Sequence, residues 1–344
     1  MNSRKAGVTV LTVAGGLIGI ALGVRTFVRA RRYMSLKGRT VLITGGSRGL
    51  GLTLARFAGR EGANVAICAR DADELDRASD DLMSRGLRVL AIPCDITDGE
   101  AAEDLVAHVV EEFGTVDVLI NNAGVIQVGP MEEMTVQDYH EAMKTHFEGH
   151  LHTTLAVLPV MRGKRGGRIV NITSIGGKVA APHLLPYTAS KFALVGFSEG
   201  LRAELLKNNI FVTTVVPGLF RSGSPRNAYF KGQHEKEYAW FATADMAPGL
   251  SMSPELLARR ILNAAKHGQA ELITPMAASL QARINGVVPG LMSELSALVN
   301  WFLPSPGGLR NWRATGANST GQIPALIQRR IDQTGEEHNE MGST

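Results

Sequence analysis

Short apolar runs alternate with longer amphipathic segments through most of this chain. Uninterrupted β-branched and apolar runs are typical of strands buried on both faces of a parallel sheet, and apolar positions at helical spacing are typical of helices packed on it. The predicted strands are 40–44, 65–69, 88–92, 116–120, 167–172, 210–216 and 271–274. The predicted helices are a segment ending at Arg60 and the segments 72–85, 99–113, 136–161 and 187–206. This order predicts an α/β fold with a doubly wound parallel sheet.

The N-terminus departs from this alternation. Residues 6–24 carry no charge, and as a helix they would extend ~28 Å, close to the ~30 Å hydrocarbon core of a bilayer. Basic residues are more numerous after this stretch than before it, so the positive-inside rule predicts a single-pass membrane anchor with the rest of the chain facing the cytoplasm. A cleaved signal peptide with its processing site at 21–23 is the alternative.

The C-terminal part departs from it as well. Residues 284–303 are largely apolar but include Asn285, Pro289 and Glu294, which predicts an interfacial helix or a flap against the domain rather than a second membrane span. From 304 onward, Pro, Gly, Asn and charged residues predict a mostly disordered tail, in which 325–331 could form a short helix. The predicted regions are an anchor with a basic flank (1–35), the α/β domain (36–276), an apolar helix (277–304) and the tail (305–344).

Composition indicates a large core and excludes several classes of function. With 344 residues and 44% apolar content, the chain can form a sizeable core. The formal charge of +4 is largely local, because basic residues are concentrated between Arg25 and Arg39, and it does not indicate nucleic-acid binding. Cys68 and Cys94 fall in apolar runs, which favours reduced core thiols over a disulfide. No acidic or cysteine partners complete a ligand set around the histidines near His146, so no metal site is predicted.

A glycine-rich turn follows the first predicted strand. Its sequence is Gly45-Gly46-Ser47-Arg48-Gly49-Leu50-Gly51, and a helical pattern follows it. Glycines at a strand-to-helix turn let backbone N–H groups approach a pyrophosphate at the positive end of the helix. The turn therefore predicts a dinucleotide site of the Rossmann type at the carboxyl ends of the strands.

Candidate acid/base chemistry lies at the start of the predicted helix 187–206. Tyr187 and Lys191 are four residues apart, so both would lie on one helix face, and Ser174 precedes the tyrosine by thirteen residues. A phenol titrates near pH ~10, and a neighbouring cation lowers that pKa. Two helix surface residues without a chemical role are the alternative for this pair taken alone.

From about Leu36 to Thr274 the chain resembles the short-chain dehydrogenase/reductase family. The residues that carry the resemblance are Thr44-Gly45-x₃-Gly49-x-Gly51, Cys94-Asp95-Ile96, Asn121-Asn122-Ala123-Gly124, Ser174, Tyr187-x₃-Lys191, and Pro217-Gly218 with Ser222. The resemblance implies that Ser174 hydrogen-bonds the substrate oxygen and that Tyr187 exchanges its proton. It implies that Lys191 binds the nicotinamide ribose and lowers the tyrosine pKa.

The same resemblance gives a set of cofactor-binding residues. An acid at the end of the second strand would bind a ribose 2′-OH, but Ala69 stands there, and Arg48 and Arg70 flank the site, which favours NADP(H). Solvated arginines, or pairs with Asp71 and Asp73, are the alternative. The implied cofactor contacts are Thr44, Gly45, Ser47, Arg48, Gly49, Leu50, Gly51, Arg70, Asp95, Ile96, Asn122, Ala123, Gly124, Tyr187, Lys191, Pro217, Gly218 and Ser222.

One residue departs from the family pattern. His146 stands where the family has an asparagine that extends a proton relay from the lysine. An imidazole could displace water or itself carry protons near neutral pH. A tolerated substitution with no proton role is the alternative.

The substrate side rests on the resemblance and on composition. Residues 219–252 correspond to the family's substrate lid, and their aromatic residues suggest an apolar substrate; a surface helix whose aromatics fill the core is the alternative. Residues 177–197 resemble membrane-anchored hydroxysteroid and lipid dehydrogenases. The prediction is an NADP(H)-dependent oxidoreductase that interconverts a carbonyl and an alcohol on a small hydrophobic substrate, as a homodimer or homotetramer. A membrane-tethered NADP(H)-binding sensor with little turnover is the alternative.

Overall fold

The computed structural model describes residues 29–247 and 251–341. The predicted membrane anchor at 6–24 and the processing site at 21–23 lie outside these residues. Within the part of the chain that is described, no helix is both long and apolar enough to cross a membrane.

The strands and helices follow one another in the predicted alternating order through residue 274. The strands are β1 (Thr40–Thr44), β2 (Asn64–Ala69), β3 (Val89–Pro93), β4 (Val118–Asn121), β5 (Gln127–Val128), β6 (Gly167–Ile172), β7 (Ile210–Pro217), β8 (Tyr229–Gly232), β9 (Glu271–Thr274) and β10 (Leu309–Thr315). The helices are α1 (Gly49–Arg60), α2 (Ala72–Ser84), α3 (Gly99–Phe113), α4 (Val136–Met143), α5 (Gly149–Gly163), α6 (Leu185–Leu205), α7 (Ser224–Asn227), α8 (His234–Asp245), α9 (Pro254–Lys266), α10 (Met276–Val287), α11 (Pro289–Asn300) and α12 (Ala325–Glu337).

A parallel sheet forms the centre of the α/β domain. Its strand order is β3-β2-β1-β4-β6-β7-β9, and each pair of neighbours is parallel. Successive residues of β1 face opposite cores, because Val41 and Ile43 pack with α1, α2 and α9, whereas Leu42 packs with α3 and α5. The doubly wound fold predicted from the alternation is confirmed. From β1 the chain adds β2 and β3 on one side, and β4 then starts on the other side of β1. This change of side creates a crevice at the carboxyl ends of β1 and β4.

The predicted helix 136–161 is interrupted. Helix α4 ends at Met143, a π-helical turn covers Lys144–Glu148, and α5 continues to Gly163. A π turn shifts the backbone hydrogen bonds by one residue and is frequently found at functional sites. This one contains His146, so the departure from a regular helix falls on the residue that departs from the family pattern.

A small second sheet carries the lid region. It has the order β10-β8-β5, with β8 antiparallel to β10 and parallel to β5. Phe230, Tyr238 and Phe241 are buried in an apolar cluster of this unit, together with Ile331 of α12. The lid aromatics therefore fill a core of their own, which was the alternative to an aromatic lining of the substrate pocket.

The predicted disorder of the tail is wrong for residues 305–341. This segment supplies the edge strand β10 and the helix α12, whose Ile331 is fully buried. The polar residues at its end, such as Asn339 and Glu340, bond to polar groups far away in sequence, which a local composition rule does not detect. The apolar stretch before it forms two short helices, α10 and α11, separated at Val288 and Pro289, rather than one span.

Candidate functional site

The carboxyl ends of β1 and β4 are joined by a set of hydrogen bonds. Thr44 Oγ1 accepts from the backbone N–H groups of Asn122 and Ala123 at 3.0 and 3.2 Å. The Asn122 side-chain amide donates to the carbonyl oxygens of Thr44 and Gly45 at 3.1 and 3.0 Å. We call these contacts the Thr44–Asn122 clasp. It explains why these positions are a threonine and an asparagine, since each satisfies backbone groups that the sheet leaves unpaired at its edge.

The glycine turn fits a dinucleotide. Gly45 and Gly49 have φ of +63° and +56°, a region that favours glycine. A Cβ on Gly51 would overlap the carbonyl oxygen of Gly45, so glycine is needed for α1 to begin close to the turn. The side chain of Arg48, the N-cap residue of α1, does not cap the helix. The turn thus has the backbone shape that lets a phosphate approach the start of α1, although the Gly49 N–H donates to the carbonyl oxygen of His338 in this structure.

The remaining predicted cofactor residues lie at the same side of the sheet, beyond the carboxyl ends of its strands. Asp95 and Arg70 follow β3 and β2 and are exposed, and Ile96 is buried. At the end of β7, Gly218 N–H donates to the carbonyl of Thr274 at 2.7 Å. Buried Ser222 donates to Ser224 Oγ at 2.8 Å. These residues come together at the sheet edge because each follows the end of a parallel strand.

Arg48 does not pair with Asp71 or Asp73. Its Nη1 lies 2.6 Å from Glu74 Oε1 and 3.3 Å from Asn227 Oδ1. Glu74 is buried in the first turn of α2 and also accepts from Ser47 Oγ at 3.3 Å. Sequence reasoning missed Glu74, because a glutamate in the first turn of a helix is the ordinary complement to the helix dipole.

Ser174, Tyr187 and Lys191 converge beside the glycine turn. Helix α6 begins at Leu185 with Pro186 in its first turn, so Tyr187 and Lys191 lie one turn apart on one face. Buried Lys191 donates from Nζ to the carbonyl oxygen of Ile172 at 3.0 Å, and its Nζ lies 5.7 Å from the Tyr187 ring centroid. Ser174 accepts from Gly176 N–H at 3.1 Å at the start of the turn Ile175–Gly177.

The titration of this cluster differs from the sequence expectation. Loss of solvent raises the pKa of Tyr187 to about 12, an effect that hydrogen bonding to Ser174 opposes and the charge of Asp245 reinforces. Burial lowers the pKa of Lys191 to about 7. The tyrosine pKa is therefore raised rather than lowered, because desolvation of the phenol outweighs its hydrogen bond with Ser174. At neutral pH the phenol keeps its proton.

His146 is fully buried and both of its ring nitrogens are engaged. Nε2 accepts from the Val125 backbone N–H at 3.1 Å, so the ring proton lies on Nδ1, which is 2.7 Å from Ser190 Oγ. Ser190 Oγ donates to the carbonyl oxygen of Tyr187 at 2.8 Å. Burial, with Lys191 and His150 nearby, holds the pKa of His146 well below its usual range. His146 is thus a neutral structural bridge between the segment after β4 and the catalytic helix.

Four further residues near the site were missed by sequence reasoning. Gly49 N–H donates to the His338 carbonyl, and Asn339 and Glu340 lie against the turn and the loop after β7. Asp245, at the end of α8, is buried, and burial raises its pKa to about 8. No local pattern marks these residues, because they reach the site from the lid and from the far end of the chain.

We expect His146→Asn to leave the shape of the pH–rate profile unchanged between pH 5 and 8. The reason is that a histidine whose folded pKa lies well below 6.5 stays neutral over this range and has no charge to lose. The measurement is kcat/KM against pH for the wild type and the variant. Loss of a titration step with a midpoint between pH 5 and 8 in the variant would show that His146 carries protons.

Comparisons with known proteins agree with this geometry. A family model described as short chain dehydrogenase matches residues 39–230. A dehydrogenase/reductase SDR family protein 7-like of Anopheles gambiae is 34% identical over 75% of this chain and 82% of its own length. The gluconate 5-dehydrogenase of Gluconobacter oxydans is 36% identical over 54% of this chain and 73% of its own length.

A solved structure gives the same result. A Sinorhizobium meliloti protein described as a short-chain alcohol dehydrogenase matches with a TM-score of 0.61 and 29% identity, over 70% of this chain and 95% of that one. The matched family region contains the glycine turn, Ser174, Tyr187 and Lys191. The chain belongs to the short-chain dehydrogenase/reductase family and is an oxidoreductase that binds a nicotinamide cofactor.

Proposed function

We propose that this protein uses NADP(H) to interconvert a ketone or aldehyde and the corresponding alcohol on a hydrophobic substrate. The observation that carries the proposal is the convergence of Ser174, Tyr187 and Lys191 beside a glycine turn that fits a dinucleotide. One relative, the gluconate 5-dehydrogenase of Gluconobacter oxydans, is a dehydrogenase by name. A bound nicotinamide supplies or accepts the hydride.

The three side chains divide the remaining work. In carbonyl reduction, negative charge develops on the substrate oxygen, and the hydroxyl of Ser174 donates a hydrogen bond to it. Tyr187, whose raised pKa keeps it protonated, donates its proton to that oxygen. Lys191 lies beside the ring and, when protonated, stabilises the phenolate that remains. The protonated phenol suits the direction of carbonyl reduction.

The preference for NADP(H) is supported by charge at the adenosine end. No acid stands at Ala69 to repel a 2′-phosphate, and Arg70 is exposed. Arg48 uses only Nη1 for its contacts with Glu74 and Asn227, so Nε and Nη2 form no hydrogen bond to any described residue. Those groups can bind a phosphate in a fork-like geometry.

Tyr187→Phe should abolish turnover while leaving cofactor binding nearly intact. The variant removes the proton donor and, of the implied cofactor contacts, only one hydroxyl, so kcat should fall by about 10²–10⁴-fold or more. NADPH oxidation is measured with a panel of steroid, retinoid, long-chain and quinone carbonyls, and NADPH binding by fluorescence. Retained turnover in the variant contradicts the mechanism. Clear NADPH binding without turnover of any carbonyl by the wild type favours a sensor instead.

Arg48→Ala should weaken NADPH binding by about 10–100-fold and NADH binding far less, because a charged hydrogen bond contributes ~1.5–3 kcal/mol. The matched control is Arg88→Ala, since Arg88 is an exposed arginine that pairs with Glu112 away from the sheet edge. Dissociation constants of both cofactors are measured by fluorescence titration. Equal losses for NADPH and NADH would remove the basis for NADP(H) preference.

We also propose that the hairpin of α10 and α11 lies on a membrane surface. Met276, Trp301 and Phe302 are 86%, 85% and 82% exposed, and Leu280, Leu291, Leu295 and Leu298 are exposed between them. The hairpin lies beside the active site, because Asn285 donates from Nδ2 to the carbonyl of Lys178 at 2.8 Å. A bilayer fits this surface better than a protein partner does, because the predicted anchor at 6–24 would hold the chain at a bilayer. A hydrophobic substrate could then enter from the bilayer.

The double variant Trp301→Ala/Phe302→Ala should weaken binding to liposomes by about tenfold or more, since each large side chain contributes ~1.5–3 kcal/mol when it leaves water. Trp312→Ala is the control, because Trp312 is a comparably exposed tryptophan on β10. Binding is measured by flotation of a chain that lacks residues 1–28, so that the predicted anchor does not contribute. Equal flotation of all three proteins would contradict membrane contact by the hairpin.

A further inference from the structure

The C-terminal segment passes from the lid to the cofactor site. Helix α12 packs on the lid unit through fully buried Ile331, and Tyr238 donates to Gln328 Oε1 at 2.8 Å. Arg226 pairs with Asp332. The helix ends close to the loop after β7, where a Cβ on Gly223 would lie 2.7 Å from the Cα of Gly335. The residues that follow α12 are therefore delivered to the edge of the sheet.

Those residues bind the glycine turn itself. The backbone N–H of Gly49, the first residue of α1, donates to the His338 carbonyl oxygen at 2.9 Å. The side-chain amide of Asn339 donates to the carbonyl oxygens of Ser47 and Glu74, each at 2.9 Å. An N–H group that a dinucleotide phosphate would approach is already satisfied by the chain's own carbonyl.

Glu340 places an anion between the glycine turn and the loop after β7. It is 3% exposed, and its Oε2 accepts from the Gly223 N–H at 2.6 Å while its Oε1 accepts from Ser224 Oγ at 3.2 Å. A Cβ on Gly49 would lie 2.9 Å from Oε1 of the same carboxylate. A carboxylate near the first N–H groups of a helix interacts favourably with the helix dipole, as a phosphate does.

We propose that residues 338–340 act as a built-in competitor of the dinucleotide's phosphates. In the resting enzyme this segment lies on the glycine turn, and it must leave before the cofactor binds. The inference rests on the dinucleotide site of the proposed function, and it adds a mode of regulation to that site. Because the cofactor and residues 338–340 would use the same glycine turn, cofactor binding and the position of the chain's end are coupled.

The docked segment is suited to leave. Glu340 forms no ion pair with any described residue, and burial raises its pKa to about 6, so the site holds a carboxylate at a cost that hydrogen bonds only partly offset. The other contacts of residues 338–340 are polar too. His338 Nε2 lies 3.1 Å from Glu255 Oε1, Asn339 Oδ1 accepts from Arg77 Nε at 3.1 Å, and the Glu340 carbonyl accepts from Asn227 Nδ2 at 2.9 Å. Water can replace each of these partners. The contacts of α12 are largely apolar, and Gly335 lies at the junction between the two parts. The end can therefore detach while α12 stays in place.

Hydrogen exchange of the full chain tests the displacement directly, without any variant. Addition of saturating NADPH should lower the protection of peptides that cover 336–341, while peptides from the first part of α12 keep theirs. NADH at saturation should have the same effect, because the competition concerns the phosphates common to both cofactors. Unchanged protection of 336–341, with NADPH binding verified by fluorescence, would overturn the proposal.

A double variant tests the competition. Asn339→Ala/Glu340→Ala should lower the apparent Kd for NADPH by about tenfold or more, since the apparent Kd is the intrinsic Kd divided by the fraction of open sites. Glu336→Ala is the matched control. Glu336 is an exposed acid in the last turn of α12, close to residues 338–340, and its side chain forms no hydrogen bond to the glycine turn. Circular dichroism and thermal unfolding establish that the variants are folded.

The outcomes separate this inference from the proposed function. An unchanged or higher Kd in a folded double variant would overturn the competition while leaving the dinucleotide site intact. If neither NADPH nor NADH binds the wild type or the double variant, the dinucleotide site is refuted and the competition with it. A lower Kd in the double variant, together with an unchanged Kd in Glu336→Ala, supports both.

Discussion

The site depends on one continuous path of buried hydrogen bonds that begins at the Thr44–Asn122 clasp. The clasp fixes the glycine turn against the end of β4, and the segment after β4 is bound to the π turn, since Val125 N–H donates to His146. His146 continues through Ser190 to the carbonyl of Tyr187. The glycine turn and Tyr187 are thus held in fixed relative positions by hydrogen bonds. The groups on the path are buried or partly buried, so an unmade bond at its buried positions would cost ~1–3 kcal/mol.

This path also explains what His146 does in place of an asparagine. A proton carrier needs a ring nitrogen that can change partners, but Nε2 is held by a backbone N–H and Nδ1 by Ser190. Since burial keeps the ring neutral and its tautomer is set by its neighbours, we expect it to transmit position rather than protons. The π turn that contains it brings the ring beneath Tyr187, with the two ring centroids 5.3 Å apart. The imidazole therefore supports the phenol of Tyr187 through this edge-on ring contact and through the hydrogen bonds of Ser190.

The parts that sequence could predict are those governed by local pattern. β1 and β6 were predicted to the residue, because strands buried on both faces must be short apolar runs between turn residues. Ser174, Tyr187 and Lys191 were found through motif spacing, and the structure brings them together. The π turn at His146 was not predictable, because a shift in backbone hydrogen bonding changes no hydrophobic period. The tail was missed because its partners, such as Ser47 for Asn339, lie about 290 residues away in sequence and are polar.

The difference between α12 and the residues after it is one of interaction type, and that difference determines which part can move. Ile331 is buried in an apolar cluster, where water is a poor substitute for its neighbours, so α12 adds to the stability of the lid. Glu340 is buried against the Gly223 N–H and the Ser224 hydroxyl, donors that water or a phosphate could satisfy equally well. Regions of low local stability are those with few apolar contacts and exchangeable hydrogen bonds. A chain end of this kind, attached to a stable helix, remains at high local concentration beside the turn whenever it is released, so it can bind again as soon as the cofactor leaves.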